Sequence, residues 1–353
     1  MNLYVHFPFC RSKCAYCTLV SRGGAKDETR ESYVRRIVRE IAELPPSGEG
    51  AHTIYFGGGT PALCPLASAL EAIRDKGFLS GEYEFTVELH PLDATQEAIA
   101  LLTQGGVNRV SLGVQTFDDD ALSFLNRHHT AADAIAAINA LRPAFPSLGI
   151  DLIVGLPTPP NLKAIAEVLP KLDHASVYTL IRESNTRLDL DARKGRTALP
   201  GDAESLAEFS RVRDILDSAG FIRYEIANFA RPGFECRHNF AVWRGEDYIG
   251  IGDGACGRRE KVRTTGADGS YKEEILSDES DVLERALFSL RTSDGIDLAR
   301  VSALWPTLDD RLPTWRDVLS FHAAKGLLSH DGDIWRLTRR GAEVCDSILA
   351  DLV

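Results

Sequence analysis

Several classes of protein are excluded by what the chain does not contain. No apolar run approaches the ~20 residues that a bilayer-spanning helix needs, so no integral membrane segment is expected. The first residues lack a basic stretch followed by a long apolar one, so no secretory leader is expected either. Seven cysteines in 353 residues are too sparse for a secreted disulfide framework, and thiols without an export signal point to the reducing cytoplasm. Positive charge is also short. With 40 Lys and Arg against 51 Asp and Glu, the net charge of -11 argues against a nucleic-acid surface.

What is present concentrates in LYVHFPFCRSKCAYCTLVS, Leu3 to Ser21. A short apolar run that reads as a strand leads into Cys10, Cys14 and Cys17, a C-x3-C-x2-C spacing that puts three thiols on one loop. Thiolates are soft ligands that suit zinc or iron-sulfur clusters. A four-iron cluster is usually held by four cysteines, so three would leave one iron open for a ligand. A zinc site completed by His6 or a distant residue uses the same loop equally well. The spacing alone does not separate the two.

Beyond the loop the pattern alternates. Val34, Ile37, Val38 and Ile41 give helical spacing over Asp27 to Leu44, ended by Pro45-Pro46, and a strand at His52 to Phe56 runs into GGGTP. Helices at 65–79, 95–104, within 118–141 and at 161–172 then separate strands at 84–89, 107–114, 148–154 and 175–181. Six strands divided by helices predict βαβ units and a parallel sheet, with polar and Gly-rich motifs at the strand ends where α/β barrels place their sites. Leu190 to Gly201 reads as a loop and 202–219 as a helix, followed by short strands at 222–226 and 248–251. The charged stretch Arg258 to Glu274 is a hinge candidate. From Ser280 the pattern is helical and closes with a hairpin turning at Asp331-Gly332, which predicts a winged-helix shape used for packing or partner docking.

GGGTP one βα unit after a three-cysteine loop resembles the radical S-adenosylmethionine superfamily. VELHP, SLGVQTF, LNRHHT, IDLIVGLPTP, YTLIRESNT and the segment from Tyr224 to Gly257 narrow the resemblance to the branch of oxygen-independent coproporphyrinogen III dehydrogenase (oxidase) and the haem chaperones of HemW type. It covers nearly the whole chain. It implies an α/β fold, a partial (β/α)6 barrel with a smaller C-terminal helical, winged-helix-like domain. The division expected is 1–190 for the barrel, 191–274 for a connecting segment with a haem motif and 275–353 for the helical domain. It implies a 4Fe–4S cluster on Cys10, Cys14 and Cys17, and S-adenosylmethionine held by Tyr4, Tyr16, Gly58, Gly59, Thr60, Glu88, Gln115, Arg127 and Asp151. Taken singly, Glu88 reads equally as a solvated carboxylate and Arg127 as a helix-end surface charge.

Within that branch the dehydrogenases carry a fourth cysteine two positions after the third, where this chain has Leu19. That difference favours the chaperone side, and implies haem as a further ligand and a haem-acceptor protein as partner. The family's H-N-x-x-Y-W motif reads His238-Asn239-Phe240-Ala241-Val242-Trp243 here, with Val242 for tyrosine, and Cys256 stands where the family has histidine. His238 is the expected axial ligand, against the plain alternative of a histidine bonded in a tight loop. Cys236 and Cys256 read equally as small buried hydrophobes. A radical enzyme acting on coproporphyrinogen, or a related methyltransferase or haem-degrading enzyme, are the competing readings.

Overall fold

A computed structural model of the chain describes residues 1–45 and 52–353. Six parallel strands lie side by side in chain order: β1 (Asn2–Phe7), β2 (Thr53–Gly58), β3 (Glu84–Leu89), β4 (Arg109–Gln115), β5 (Ser147–Val154) and β6 (His174–Thr179). Successive residues of a strand point to opposite faces, and this chain uses the two faces differently. Leu3, Val5 and Phe7 of β1 and Val110 and Leu112 of β4 are buried in one large core beneath the helices. The alternate residues, such as Arg109, Ser111, Gln115, His174 and Ser176, line a cavity instead.

The helices close the outer face by amphipathic spacing. In α1 (Asp27–Glu43) the inward residues are Tyr33, Val34, Ile37 and Ile41. Of the proline pair expected to end this helix, Pro45 follows it and Pro46 lies outside the described residues. The sheet does not close. Beyond β6 come two antiparallel strands, β8 (Asn228–Ala230) and β7 (Ile222–Arg223). Beyond β1 come β9 (Tyr248–Ile251), β10 (Cys256–Arg259), β11 (Val262–Ala267) and β12 (Ser270–Ile275). The barrel is therefore partial, with β7 and β12 as free edges.

Two expectations change. Arg258 to Glu274 is not a hinge: it folds as two antiparallel hairpins with Arg263 paired to Glu274 across strands, and Arg258, buried in this arm, pairs with Asp281 and Glu284. Leu190 to Gly201 is helical at its start, because Thr186 caps a helix over Arg187–Arg193. Residues 202–275 extend the same sheet, and the first core runs on to Phe221, Phe229 and Ile251.

A second core, centred on Trp315, Leu319 and Leu290, belongs to the C-terminal body. Helices Asp278–Ser289, Leu298–Leu304 and Leu312–Ala324 pack there with a three-stranded antiparallel sheet of Ile296–Asp297, Ile334–Leu337 and Leu328–Asp331. Three helices and this small sheet make the winged-helix arrangement, and the hairpin turns at Asp331-Gly332, where Gly332 has φ +57°. Among the described residues no helix is long and apolar enough to cross a membrane.

Candidate cofactor site

The cysteine loop follows β1 and is clamped from several sides. The Ala15 amide donates to Leu125 O at 3.0 Å, the Leu188 amide to Ala15 O at 2.9 Å, and Asn126 Nδ2 to Lys13 O at 2.9 Å. His6 lies beneath. Its Nε2 is 2.9 Å from Val20 O, and a carbonyl only accepts, so the ring proton is on Nε2 and Nδ1 accepts from the Tyr4 hydroxyl at 2.9 Å. With both nitrogens engaged, His6 is not available as a fourth zinc ligand.

Cys10, Cys14 and Cys17 all line a cavity of about 540 Å³ at the C-terminal ends of the parallel strands. Burial, and then the neighbouring Cys14 and Cys17, push the Cys10 thiol up to about 11, so the sulfurs share one electrostatic environment. A cationic centre that takes thiolates would offset both the burial and the mutual repulsion. Among the described residues no three His, Cys, Asp or Glu side chains gather around a single ion.

The Gly-rich turn behaves differently from an open cradle. The Gly58 amide donates to Glu88 Oε2 (2.9 Å), the Gly59 amide to Phe7 O (2.8 Å) and the Thr60 amide to Phe9 O (2.7 Å). All three N–H groups are spent, and what the backbone of the turn still offers a ligand is carbonyl oxygen, an acceptor that suits an ammonium. The glycines themselves are demanded by protein neighbours: a Cβ on Gly58, at φ +106°, would strike the His6 ring.

The remaining expected residues converge on the same cavity. Tyr55 OH and Gly58 N hold Glu88, whose carboxyl is raised to about 7, first by burial and then by Asp151. Ser111 Oγ bonds Asp151 at 3.1 Å, and burial raises that carboxyl too. Gln115 sits at a bulge in β4 with φ +68°, a strained conformation for this residue type. Arg127 donates to Gly113 O at 2.6 Å and lies 3.6 Å from Cys14 Sγ, while its Nε is buried without a partner. Tyr16 also lines the cavity and packs on Ala121, Leu125 and Ile153.

Tyr4 and His238 stand apart, neither lining the cavity. They stack on one another beside Tyr55 at the base of the barrel, with centroids 6.2 Å apart, and His238 is only 5% exposed. His238 belongs to α9 (Arg237–Trp243), which plugs that base. Its tautomer follows from the network. Asn2 Nδ2 donates to Glu246 and Asp247, so Asn2 Oδ1 accepts from Thr53, and Thr53 Oγ1 then accepts from His238 Nδ1–H at 2.8 Å. The lone pair is left on Nε2. Burial holds the ring neutral, its pKa lowered to about 4.

Sequence reasoning missed Tyr55, Arg109, Ser111, His174, Ser176 and Tyr178, all of which line the cavity. A signal existed. Strands of a covered parallel sheet should read as apolar runs, whereas RVSLGVQ and HASVYT carry a polar residue at alternate positions.

Three thiols at the mouth of a polar-lined partial barrel, with a separate winged-helix body, define a radical S-adenosylmethionine protein. The profile of the Radical SAM superfamily matches residues 4–168 and that of the HemN C-terminal domain residues 276–344. The chain is 32% identical to the haem chaperone HemW of Mycobacterium tuberculosis, over 100% of this chain and 94% of that one. It is 34% identical to HemW of Lactococcus lactis, over 84% and 82%. The solved coproporphyrinogen III oxidase HemN of Escherichia coli shares the fold, with a TM-score of 0.83 at 22% identity over 99% of this chain and 89% of that one. The chain belongs to the HemW family. A 4Fe–4S cluster and S-adenosylmethionine are the cofactors that go with the superfamily, and the donor set fits them: three thiols lining one cavity, no fourth ligand from His6, and a turn whose backbone offers only acceptors.

Proposed function

We propose that this protein is a haem chaperone that binds haem, a 4Fe–4S cluster and S-adenosylmethionine, and delivers haem to an acceptor protein in the cytoplasm. The observation that carries the reading is the cavity wall at Leu19, which is 50% exposed where the dehydrogenases place a fourth cysteine. Cys10, Cys14 and Cys17 hold the cluster in this reading. The turn at Gly58, Gly59 and Thr60 accepts from the methionine ammonium, while Tyr16, Glu88, Gln115, Arg127 and Asp151 surround the rest of the cofactor, with Tyr4 supporting from behind. When bound, the cluster supplies an open iron site and one-electron chemistry.

The chain divides by role into a cofactor barrel (1–190), a segment that completes the sheet and carries the haem motif (191–274), and a C-terminal body (275–353). His238 is the proposed haem ligand, because its tautomer leaves Nε2 free to coordinate. Reaching it requires α9 to shift. The fold likeness to HemN favours a second reading, oxidation of coproporphyrinogen.

The two separate in one experiment. After anaerobic reconstitution to about four irons per chain, haemin is titrated optically while a parallel sample with S-adenosylmethionine and reductant is assayed for protoporphyrinogen. Stoichiometric haem binding without product is expected. Product formation would replace the chaperone reading by the enzymatic one.

A further inference from the structure

Among the described residues no carboxylate forms an ion pair with the guanidinium on the cavity floor. Arg109 lines the cavity and is 3% exposed. Among the described residues it forms no ion pair; Nη1 reaches Thr86 Oγ1 at 3.5 Å, and Nε is buried without a partner. A buried guanidinium left so is expensive unless an anion is supplied. Glu84 attracts Arg109 through space, but the nearby carboxylate oxygens make their hydrogen bonds elsewhere. Glu84 accepts from the amides of Arg237 and His238, Glu88 from Tyr55 and Gly58, and Asp151 from Ser111.

His174 adds a second donor on the same floor. The Tyr224 hydroxyl accepts from the Cys236 amide at 3.1 Å, which leaves its own proton for His174 Nε2 at 2.9 Å. The imidazole proton is then on Nδ1, which is buried without a partner. Gly149 keeps that side open, since a Cβ there would come within 3.1 Å of Nδ1. A planar guanidinium beside an N–H donor matches the two oxygens of a carboxylate.

We propose that Arg109, with His174 Nδ1–H, forms a carboxylate-binding subsite at the cavity floor, and that its occupant is one propionate of a tetrapyrrole. The choice of tetrapyrrole rests on the haem reading above; the carboxylate subsite stands without it. The carboxylate of S-adenosylmethionine has the same chemistry, so the test separates the two sources.

The first arm uses sodium propionate and propionamide on the cofactor-free protein. Propionate should raise the melting temperature, propionamide should not, and Arg109→Gln should abolish the difference while Arg109→Lys keeps part of it. Equal behaviour of the two probes in the parent protein overturns the subsite and needs no variant to fold. The second arm compares haemin with its dimethyl ester on the reconstituted protein, where the free acid should bind roughly 10- to 100-fold more tightly. Equal affinities overturn the propionate assignment and leave the haem reading intact, whereas binding of neither overturns the haem reading and leaves the first arm to judge the subsite. In the third arm, Arg109→Gln weakening S-adenosylmethionine but not its decarboxylated analogue would assign the floor to the cofactor instead.

Discussion

A Cβ added at Gly59 would come within 2.6 Å of the Phe9 carbonyl oxygen and 2.8 Å of the Phe7 carbonyl oxygen, both backbone. The expectation that this glycine serves to hold a ligand is therefore incomplete: its smallness first lets the Gly-rich turn dock against the segment that leads into Cys10. Glu88 is the other residue whose surroundings set its behaviour. Burial and Asp151 raise its carboxyl to about 7, above its ordinary value, despite bonds from Tyr55 and Gly58. The folded state thus holds this proton more tightly than the unfolded chain. Its stabilising share is full below the unfolded pKa and is lost as pH rises through about 7. Glu88→Gln removes that pH dependence. The melting temperature of the variant, measured without cofactor, should gain on the parent between about pH 5 and about pH 8. A constant difference across that range would show that Glu88 does not titrate there.

At the scale of elements, the six parallel strands were legible because each is a short segment with apolar residues at least at alternate positions, bounded by a Gly or polar motif, and the expected site residues because most of them lie at the ends of those segments. Tertiary pairing was not legible. Nothing local in Arg258–Glu274 announces that it folds as paired hairpins, and nothing in HNFAVW shows that the motif folds as a plug. His238 has a structural role there whatever its ligand chemistry, bonding Thr53 and packing between Tyr4 and Tyr55. His238→Ala should therefore cost about 2–4 kcal/mol in urea unfolding before any haem is added. An unchanged unfolding midpoint would mean that α9 is held by its other contacts alone. A haem-binding defect in this variant is consequently informative only beside its stability.

Among the described residues the two large cores are joined through polar contacts and an aromatic pair. Arg213 pairs with Glu343 and Arg339 with Asp214, while Trp243, at the end of the plug helix, meets Phe288 of the C-terminal body edge to face at 5.6 Å. Arg291 of that body also lies over the Trp243 ring at 4.8 Å. The C-terminal body therefore braces α9 from outside, and the bracing can be removed without touching the barrel. Trp315 is the place to do it. It is 1% exposed at the centre of the second core, and its Nε1 donates to Leu352 O at 2.9 Å, tying the chain end to the body. Trp315→Ala should cost about 3–5 kcal/mol locally, enough to loosen a body of this size. Calorimetry should then show an early transition separate from that of the barrel, with the near-ultraviolet signal of Trp243 lost in it. S-adenosylmethionine binding to the reconstituted variant should persist through the early transition, because every residue proposed to hold it lies in the barrel, between Tyr4 and Asp151, and none in the C-terminal body. Haem binding should weaken, because α9 loses its brace. Loss of both ligands together in one transition would mean that barrel and C-terminal body fold as a single unit.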